Sequence, residues 1–427
     1  MKVKDKDYSK QALLLSSKHG GKLTMAPTLK IKSAADLSIL YTPGSAAVAK
    51  KIIKDPASSY ELTWRWNTIF IITNGTRVLG LGDVGPLASL PVMEGKSLVY
   101  KAYSGINAVP IPIKSTDIEE FVKIVDALSV TAGGIHLEDI SSPFCFEVLE
   151  KLQERLNIPV WHDDQQGTAG AALAGLINAF KLVGKDIKKA RIVLVGAGAA
   201  NIALFNLLGA YGVDLGNIIV GDSKGPLNKD RADIEEMKAS NRWKYEVSER
   251  SNEAGVSSIN ESFDGADAII GFSTAGAIKP AWIKRMSNKP IVFANANPTP
   301  EISPESAKKA GAYIISTARP DYPNQVNNSL IFPGLFRGVL DSHARFIDNK
   351  LIIAAAETLA TFVEKRCISK DNILPRTDQE EVHIQVAAAV AEYASRTGNA
   401  AVKGDFRFFY KLAKEHIAKG KQFVDSK

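Results

Sequence analysis

Two acidic pairs dominate the chemistry that this sequence offers. Leu137-Glu138-Asp139 stands at the C-terminal end of one short strand pattern, and His162-Asp163-Asp164 at the end of another. In an open parallel sheet, strand C-termini are where ligands gather. Four carboxylates brought together there would raise one another's pKa unless a cation held them. Three oxygen ligands with open positions, Glu138, Asp139 and Asp164, suit Mg²⁺ or Mn²⁺, hard ions that also take substrate oxygens. One acidic pair alone more often caps the helix that follows; two pairs at two strand ends favour a metal site. His162 is expected in the core behind that site, and His136 is assigned no role.

A second constellation is Gly196-Ala197-Gly198-Ala199-Ala200-Asn201, which follows an apolar strand and opens a helix. Backbone amides and the helix dipole can face a pyrophosphate there. Asn201 replaces the usual third glycine, while Ala199 and Ala200 are small enough for close approach. Asp222 ends the next strand at roughly the ~20-residue spacing of the acid that bonds ribose hydroxyls. It favours NAD, since a carboxylate repels a 2′-phosphate; Ser223 and Lys224 leave NADP open.

Lys96 follows Gly95 and precedes the apolar Leu98-Val99-Tyr100. Desolvation there is expected to lower its pKa toward neutrality and make it a general base. The segment is not an ATP loop, because Lys96-Ser97 lacks the upstream glycine of that motif. Tyr41, in Tyr41-Thr42-Pro43-Gly44, places a phenol at a rigid turn where it can donate a proton.

These groups need positioning elements, and the order of patterns supplies them. Residues 45–54 read as a helix; 66–73 and 77–81 read as strands joined by an Asn74-Gly75 hairpin turn. Strands at 107–113, 134–137 and 158–161 then alternate with helices at 117–128 and 145–156. A small-residue helix follows from Thr168 to Leu182, with Gly184 as its stop. From Lys189 onward, strands at 191–195, 218–221, 267–271, 290–294 and 312–315 carry the βαβ rhythm of a doubly wound parallel sheet. The fold class expected is therefore α/β: a Rossmann-type sheet domain plus a smaller α/β substrate-binding domain. The boundaries are 1–160 for the substrate-binding domain, 161–381 for the dinucleotide domain, and 382–427 for a helical segment packing across both.

At 427 residues and 45% hydrophobic the chain is long enough for two cores. Its net charge of +7 and pI near 9.0 favour anionic ligands. The excess is diffuse, with Lys2, Lys4 and Lys6 at one end and Lys411 and Lys414 near the other, and no aromatic-interleaved basic stripe points to nucleic acid. Cys145 and Cys367 are too few for a disulfide framework and are expected to be buried spectators in a reducing cytoplasm. No apolar run suggests a signal peptide or a membrane span, so a cytoplasmic protein is expected.

Taken together, Tyr41-Thr42-Pro43-Gly44, Thr73-Asn74-Gly75, Gly80-Leu81-Gly82-Asp83, Pro91-Val92-Met93-Glu94-Gly95-Lys96, Leu137-Glu138-Asp139, His162-Asp163-Asp164-Gln165-Gln166-Gly167-Thr168, the Gly-Ala-Gly turn, Ala296-Asn297-Pro298-Thr299 and Asn327 to Gly334 resemble, in order, the short microbial branch of the malic enzyme family. The resemblance implies L-malate as substrate, NAD (or NADP) and Mg²⁺ or Mn²⁺ as cofactors, and a homodimer or higher homo-oligomer. It implies Lys96 as general base, Tyr41 as general acid, Asp163 as the acid supporting the lysine, and Glu138, Asp139 and Asp164 as metal ligands. Arg77, Asn297 and Asn328 match positions at the substrate carboxylates or the nicotinamide, and Thr168, Gly196, Gly198, Ala199, Ala200, Asn201 and Asp222 match the cofactor side. Ser45, Gln166 and Asn201 depart from the usual pattern without removing a catalytic group. No appended acyltransferase-like domain is expected.

Three rivals share parts of this pattern. A malolactic-type enzyme would release lactate, a metal-dependent oxaloacetate decarboxylase would work without net redox, and a dinucleotide sensor would have no use for Lys96, Tyr41 and the acidic cluster together.

Overall fold

In a computed structural model describing residues 8–421 apart from Leu79, the chain builds two sheets joined by one hydrophobic core. Lys2, Lys4 and Lys6 lie outside the described residues. Strand β1 (Thr68–Thr73) is flanked by β2 (Asn107–Pro112) and β3 (Gly134–Leu137), and β4 (Val160–His162) completes the first sheet in the order β2-β1-β3-β4. Every pairing is parallel. Ile69, Phe70, Ile71 and Ile72 are all buried, as both faces of a covered parallel sheet require.

The hairpin expected at Asn74-Gly75 does not form. Both edges of β1 are already taken by parallel partners, so no edge is left for an antiparallel return. Asn74 instead donates to the Ser115 carbonyl (3.3 Å), and the Gly75 carbonyl accepts from Val84 and Gly85. A Cβ on Gly75, at φ 70°, would sit 2.2 Å from the Gly85 carbonyl oxygen. Residues 77–81 contribute only an isolated bridge between Val78 and Gly82. The chain then enters a helix, Gly85–Ser104, which the periodicity of the sequence did not predict because Pro91 stands inside it.

The second sheet comprises β5 (Ile192–Val195), β6 (Ile218–Asp222), β7 (Gly225–Pro226), β8 (Ala268–Gly271), β9 (Ile291–Ala294) and β10 (Ile314–Thr317), in the order β10-β9-β8-β5-β6-β7. All pairs are parallel except β6 with the short edge strand β7, which was not foreseen. The order reverses at β5, so the crevice beyond its C-terminus is a topological switch point, where such sheets bind ligands. Helix Thr168–Val183 ends at Gly184 (φ 72°), as expected. No helix among the described residues is long and apolar enough to cross a membrane. Cys145 is buried, but Cys367 is exposed, contrary to expectation, because it lies in a left-handed turn (φ 72°) just beyond helix Asn349–Glu364.

Helix Glu380–Arg396 packs on helices Phe332–Ser342, Asn349–Glu364 and Gly85–Ser104, and helix Phe406–Lys421 also reaches Gly85–Ser104. Gly334 and Gly338 permit the close crossing: a Cβ on Gly338 would lie 2.5 Å from the Ala387 carbonyl oxygen. At this junction His383 is buried, stacks on Tyr103 at 4.8 Å and bonds the Thr377 carbonyl at 2.8 Å. Burial lowers its pKa to about 4, with Lys421 adding to the effect and Glu380 opposing it. The unfolded chain therefore takes up the proton first as pH falls from about 6.5, and stability drops until about pH 4 by up to about 1.4 kcal/mol per pH unit. Replacing His383 by Gln is expected to flatten that slope in denaturant titrations run at a series of pH values; an unchanged slope would dismiss His383 as its source.

Candidate active site

Lys96 and Tyr100 sit four residues apart on helix Gly85–Ser104, so they share one face, and that face looks onto the C-terminal ends of β3 and β4. His136 in β3 and Glu138 just past its end are two residues apart and both reach the same polar cluster. Beyond β4 the backbone makes one π-helical turn, Asp163–Gly167, which carries Asp163 and Asp164. Such single turns recur at functional sites.

The result is a chain of bonded polar groups. Lys96 Nζ donates to Asp163 Oδ2 in a very short contact and lies 3.0 Å from Glu138 Oε2. Glu138 Oε2 is 2.7 Å from His136 Nε2, and His136 Nδ1 is 2.7 Å from the Tyr100 hydroxyl. Trp161 Nε1 donates to the other Asp163 oxygen at 3.1 Å. Burial lowers the His136 pKa to about 3, despite Asp163, so the imidazole is neutral. Its tautomer follows: Nε2–H donates to Glu138 and Nδ1 accepts from Tyr100. His136, assigned no role from sequence, is thus part of the network; the period-2 phase of β3 was the signal that places it beside Glu138.

The protonation of Lys96 also differs from expectation. Burial does pull its pKa down, but Asp163, Glu138 and Asp164 outweigh that effect and the ammonium is favoured. Its apolar contact is the Phe332 ring, 4.7 Å away. Burial raises Asp163 and Glu138, and raises Asp164 to about 8 with the Glu138 charge adding to it.

Glu138, Asp139 and Asp164 each offer a carboxylate oxygen, all within 4.8 Å of one another. Asp139 holds a left-handed conformation (φ 55°) at the end of β3, and its N–H donates to Asp164 Oδ2 at 2.8 Å. An all-oxygen, largely buried, strongly negative donor set fits Mg²⁺ or Mn²⁺. A second group, His136, Glu138 and Asp163, is engaged with Lys96 and Tyr100. His162 is fully buried and sits 3.9 Å from Asp164, in the core as expected.

Past β5, Gly196 adopts φ 101°, and a Cβ there would meet Ser273 at 3.0 Å. Gly198 precedes helix Ala199–Tyr211, and a Cβ on it would meet nothing within 4 Å, so the helix N-terminus opens onto free space suited to a phosphate. Asn201 is buried and donates to the Val195 and Gly196 carbonyls (3.0 and 2.8 Å), tying the turn to the helix from below. Asp222 lies at the end of β6.

Residues 20–153 match the family model "Malic enzyme, N-terminal domain", and residues 165–395 match "Malic enzyme, NAD binding domain". The chain belongs to the malic enzyme family. It is 43% identical to the bifunctional malic/malolactic enzyme of Bacillus subtilis, with 92% of this chain and 95% of that protein covered. Identity to the NAD-dependent malic enzyme of Geobacillus stearothermophilus is 44%, over 89% of this chain and 78% of that one. The crystal structure of Entamoeba histolytica malic enzyme superposes with a TM-score of 0.93 at 41% identity, covering 98% of this chain and 88% of that chain.

Other residues expected from the malic enzyme resemblance lie on the loops beside these acidic strand ends or on the loop after β9, with one exception. Arg77 donates its backbone N–H to the Asp139 carbonyl (3.1 Å). Asn328 packs on Gly167, where a Cβ would approach its own Cβ at 3.2 Å. Asn297 is exposed, and Pro298 beside it lies 3.1 Å from where a Cβ on Gly80 would stand. Thr168 follows the π turn, 3.5 Å from the Asp163 carbonyl. Tyr41 is the exception: it is 69% exposed, on a segment in which no residue from Tyr8 to Ala57 is buried.

Glu301, not recognised from sequence, joins two loops of the cofactor side. Fully buried, it accepts the Ser273 and Ala296 N–H groups at 2.8 Å each, fixing the exits of β8 and β9 together. Gly167 likewise has a steric reason, since a Cβ would lie 2.0 Å from Asp163 Oδ1. Gly167→Ala is expected to push Asp163 off Lys96 and to lower stability by about 1–3 kcal/mol in urea titrations. A variant as stable as the parent would show that the π turn relaxes freely.

Proposed function

We propose that the chain catalyses the oxidative decarboxylation of L-malate to pyruvate and CO₂ with reduction of NAD(P), dependent on a divalent metal ion. The observation that carries this reading is the buried Lys96–Asp163–Glu138 cluster, which shares Glu138 with the carboxylate group completed by Asp139 and Asp164, in a member of the malic enzyme family. Glu138, Asp139 and Asp164 would hold Mg²⁺ or Mn²⁺; when bound, the ion supplies a Lewis acid for the substrate oxygens and the dinucleotide supplies the hydride acceptor.

Lys96 is the general base that takes the C2-hydroxyl proton as C2 is oxidised. It must first shed its own proton, and Asp163, in contact with it and raised by burial, is placed to receive it. Tyr41 returns a proton to C3 after CO₂ leaves. Arg77, Asn297 and Asn328 orient the substrate carboxylates and the nicotinamide end. Gly196, Gly198, Ala199, Ala200 and Thr168 form the phosphate side, with Asn201 holding the turn that presents it and Asp222 at the ribose. In this reading residues 1–160 form the substrate-binding domain, 161–381 the dinucleotide domain and 382–427 the helical segment across both, in a cytoplasmic protein.

Tyr41 and the apolar side chains Leu13, Leu14, Ile31, Ile39 and Ile53 are exposed on the same segment. So many large apolar side chains exposed along one segment suggest that it is covered in the assembly. We assign the cover to a second copy of the chain, giving a homodimer in which Tyr41 serves the partner's Lys96.

With L-malate and Mn²⁺, reduction of NAD or NADP matched by pyruvate is expected, abolished by chelation and reduced about 10²–10⁴-fold in Lys96→Ala. No turnover with either dinucleotide would refute the reading. A name including malolactic activity for a relative 43% identical favours one second reading, lactate release. Malate consumed with lactate formed and no net reduction would establish it. Mixing Tyr41→Phe chains with Lys96→Ala chains is expected to restore about a quarter of wild-type activity through heterodimers, since statistically half the dimers carry one intact site. Failure to restore any activity, with subunit exchange verified, would place Tyr41 in its own subunit's site.

A further inference from the structure

The π turn Asp163–Gly167 also borders a second concavity. It holds about 610 Å³, and its lining includes Gln165 and Gln166 but not Lys96, Glu138, Asp139, Asp163, Asp164 or the Gly196–Gly198 turn. Small molecules occupy cavities of that size. Helix Phe144–Arg155 supplies Phe146, while helices Ala199–Tyr211 and Arg242–Arg250 supply Ile202 and Trp243 from the side of the second sheet. The two sides are fixed to each other there. Trp243 stacks on Phe146 at 5.0 Å and donates Nε1 to Glu150 Oε1 at 2.7 Å, and Arg242 takes the other Glu150 oxygen.

Four carboxamides line this cavity, each tied to the protein by one end. Gln153 Nε2 donates to the Val160 carbonyl (3.2 Å) and Gln165 Nε2 to the Cys145 carbonyl (3.3 Å). Gln166 Oε1 accepts the His162 N–H (2.9 Å), and Asn206 Oδ1 accepts from Arg250 Nη1 (3.2 Å). A carbonyl can pair only with an NH₂ group and an N–H only with an oxygen, so these bonds fix which way every amide faces. Two acceptors remain, Gln153 Oε1 and Gln165 Oε1, and two donors, Gln166 Nε2 and Asn206 Nδ2, none of them bonded to a described residue. Gln165 is only 4% exposed, and leaving a buried amide end unpaired is costly. Glu150 and Arg250 are the charged residues of the lining. Glu150 is spent on Trp243 and Arg242, and Arg250 is exposed and bonds Asn206. An ionic ligand would find no free counter-charge inside.

We propose that this cavity is a ligand site, separate from the glycine turn, for an uncharged flat heterocycle of the nucleobase class, presented as a nucleoside. Carboxamides pair with heterocycle edges that set a donor beside an acceptor, and the apolar walls of Phe146, Ile202 and Trp243 suit the ring faces. The occupant bonds Gln165 and Gln166, the residues that directly follow Asp163 and Asp164 in the π turn. It also touches helices from both sheets, so occupancy steadies the turn that carries the two acids.

The test is calorimetric titration of the whole protein with adenosine, inosine, cytidine and uridine, each with and without excess NAD. At least one is expected to bind once per chain, with an affinity that NAD changes by no more than about twofold. Asn206→Leu is expected to weaken it about five- to tenfold, the scale of one hydrogen bond, and Ala203→Phe, which fills the cavity, to abolish it. Near-ultraviolet circular dichroism checks that each variant is folded; should Ala203→Phe fail to fold, Gln153→Leu takes its place with the same loss expected as for Asn206→Leu. Amide hydrogen exchange over residues 163–167 is expected to slow several-fold in the wild-type complex. No nucleoside bound at millimolar concentration, binding unchanged in the folded variants, displacement by NAD, or unchanged exchange at the turn would each overturn the proposal. None of these readouts requires turnover of malate, so failure of the proposed activity is seen separately.

Discussion

The rest of the structure depends on one constraint: a lysine and several carboxylates are buried together and must not be left unbalanced. Removing an ion from water costs several kcal/mol even after relaxation, and breaking one partner out of a buried pair costs about 3–5 kcal/mol. Here Lys96 faces Asp163 and Glu138 directly, with Asp164 near enough to act on both. One ammonium cannot neutralise three acids, and the nearby imidazole of His136 is held neutral by burial. A divalent cation at Glu138, Asp139 and Asp164 would answer that excess, so the case for a metal rests on charge balance as well as on ligand geometry.

That demand reaches into the backbone. Asp139 adopts a left-handed conformation that costs an L-residue energy and is kept where the surroundings over-determine it. The π turn Asp163–Gly167 presents two successive acids to different partners, Asp163 to Lys96 and Asp164 to the Asp139 N–H, and it works only because position 167 has no side chain. The same turn packs against helix Ala199–Tyr211, which begins at the glycine turn of the dinucleotide side. The acidic cluster and the glycine turn are therefore joined through one direct packing contact.

Much of this was legible in sequence, and what was not has identifiable causes. The parallel strands from β2 onward were readable because β-branched runs bounded by turns carry their own signal, and both acidic pairs sit at the strand ends where they were sought. The hairpin failed because Asn74-Gly75 states a local preference, while strand pairing is decided by which edges remain free. Helix Gly85–Ser104 was hidden by Pro91, although it carries Lys96 and Tyr100. The protonation of Lys96 was misjudged because its neighbours in sequence are apolar and its neighbours in space are acids. Glu301 gave no signal at all, since a lone buried glutamate is recognisable only by the two N–H groups that converge on it.

The two sheets divide the chemistry in a way that explains the placement of these groups. Charge that must stay fixed is built on the first sheet, on β3, β4 and the helix Gly85–Ser104, where side chains are locked by Trp161, Tyr100 and Phe332. The second sheet, in the part that matches the NAD-binding domain, exposes backbone and small residues at its glycine turn, with support from below: Asn201 under that turn and Glu301 between the β8 and β9 exits. Side chains on the first side set what can be protonated; the backbone on the second side sets what can be approached. At Gly80 against Pro298 and at Gly167 against Asp163 and Asn328 the contact is made by glycines, because a Cβ at either position would crowd its neighbour.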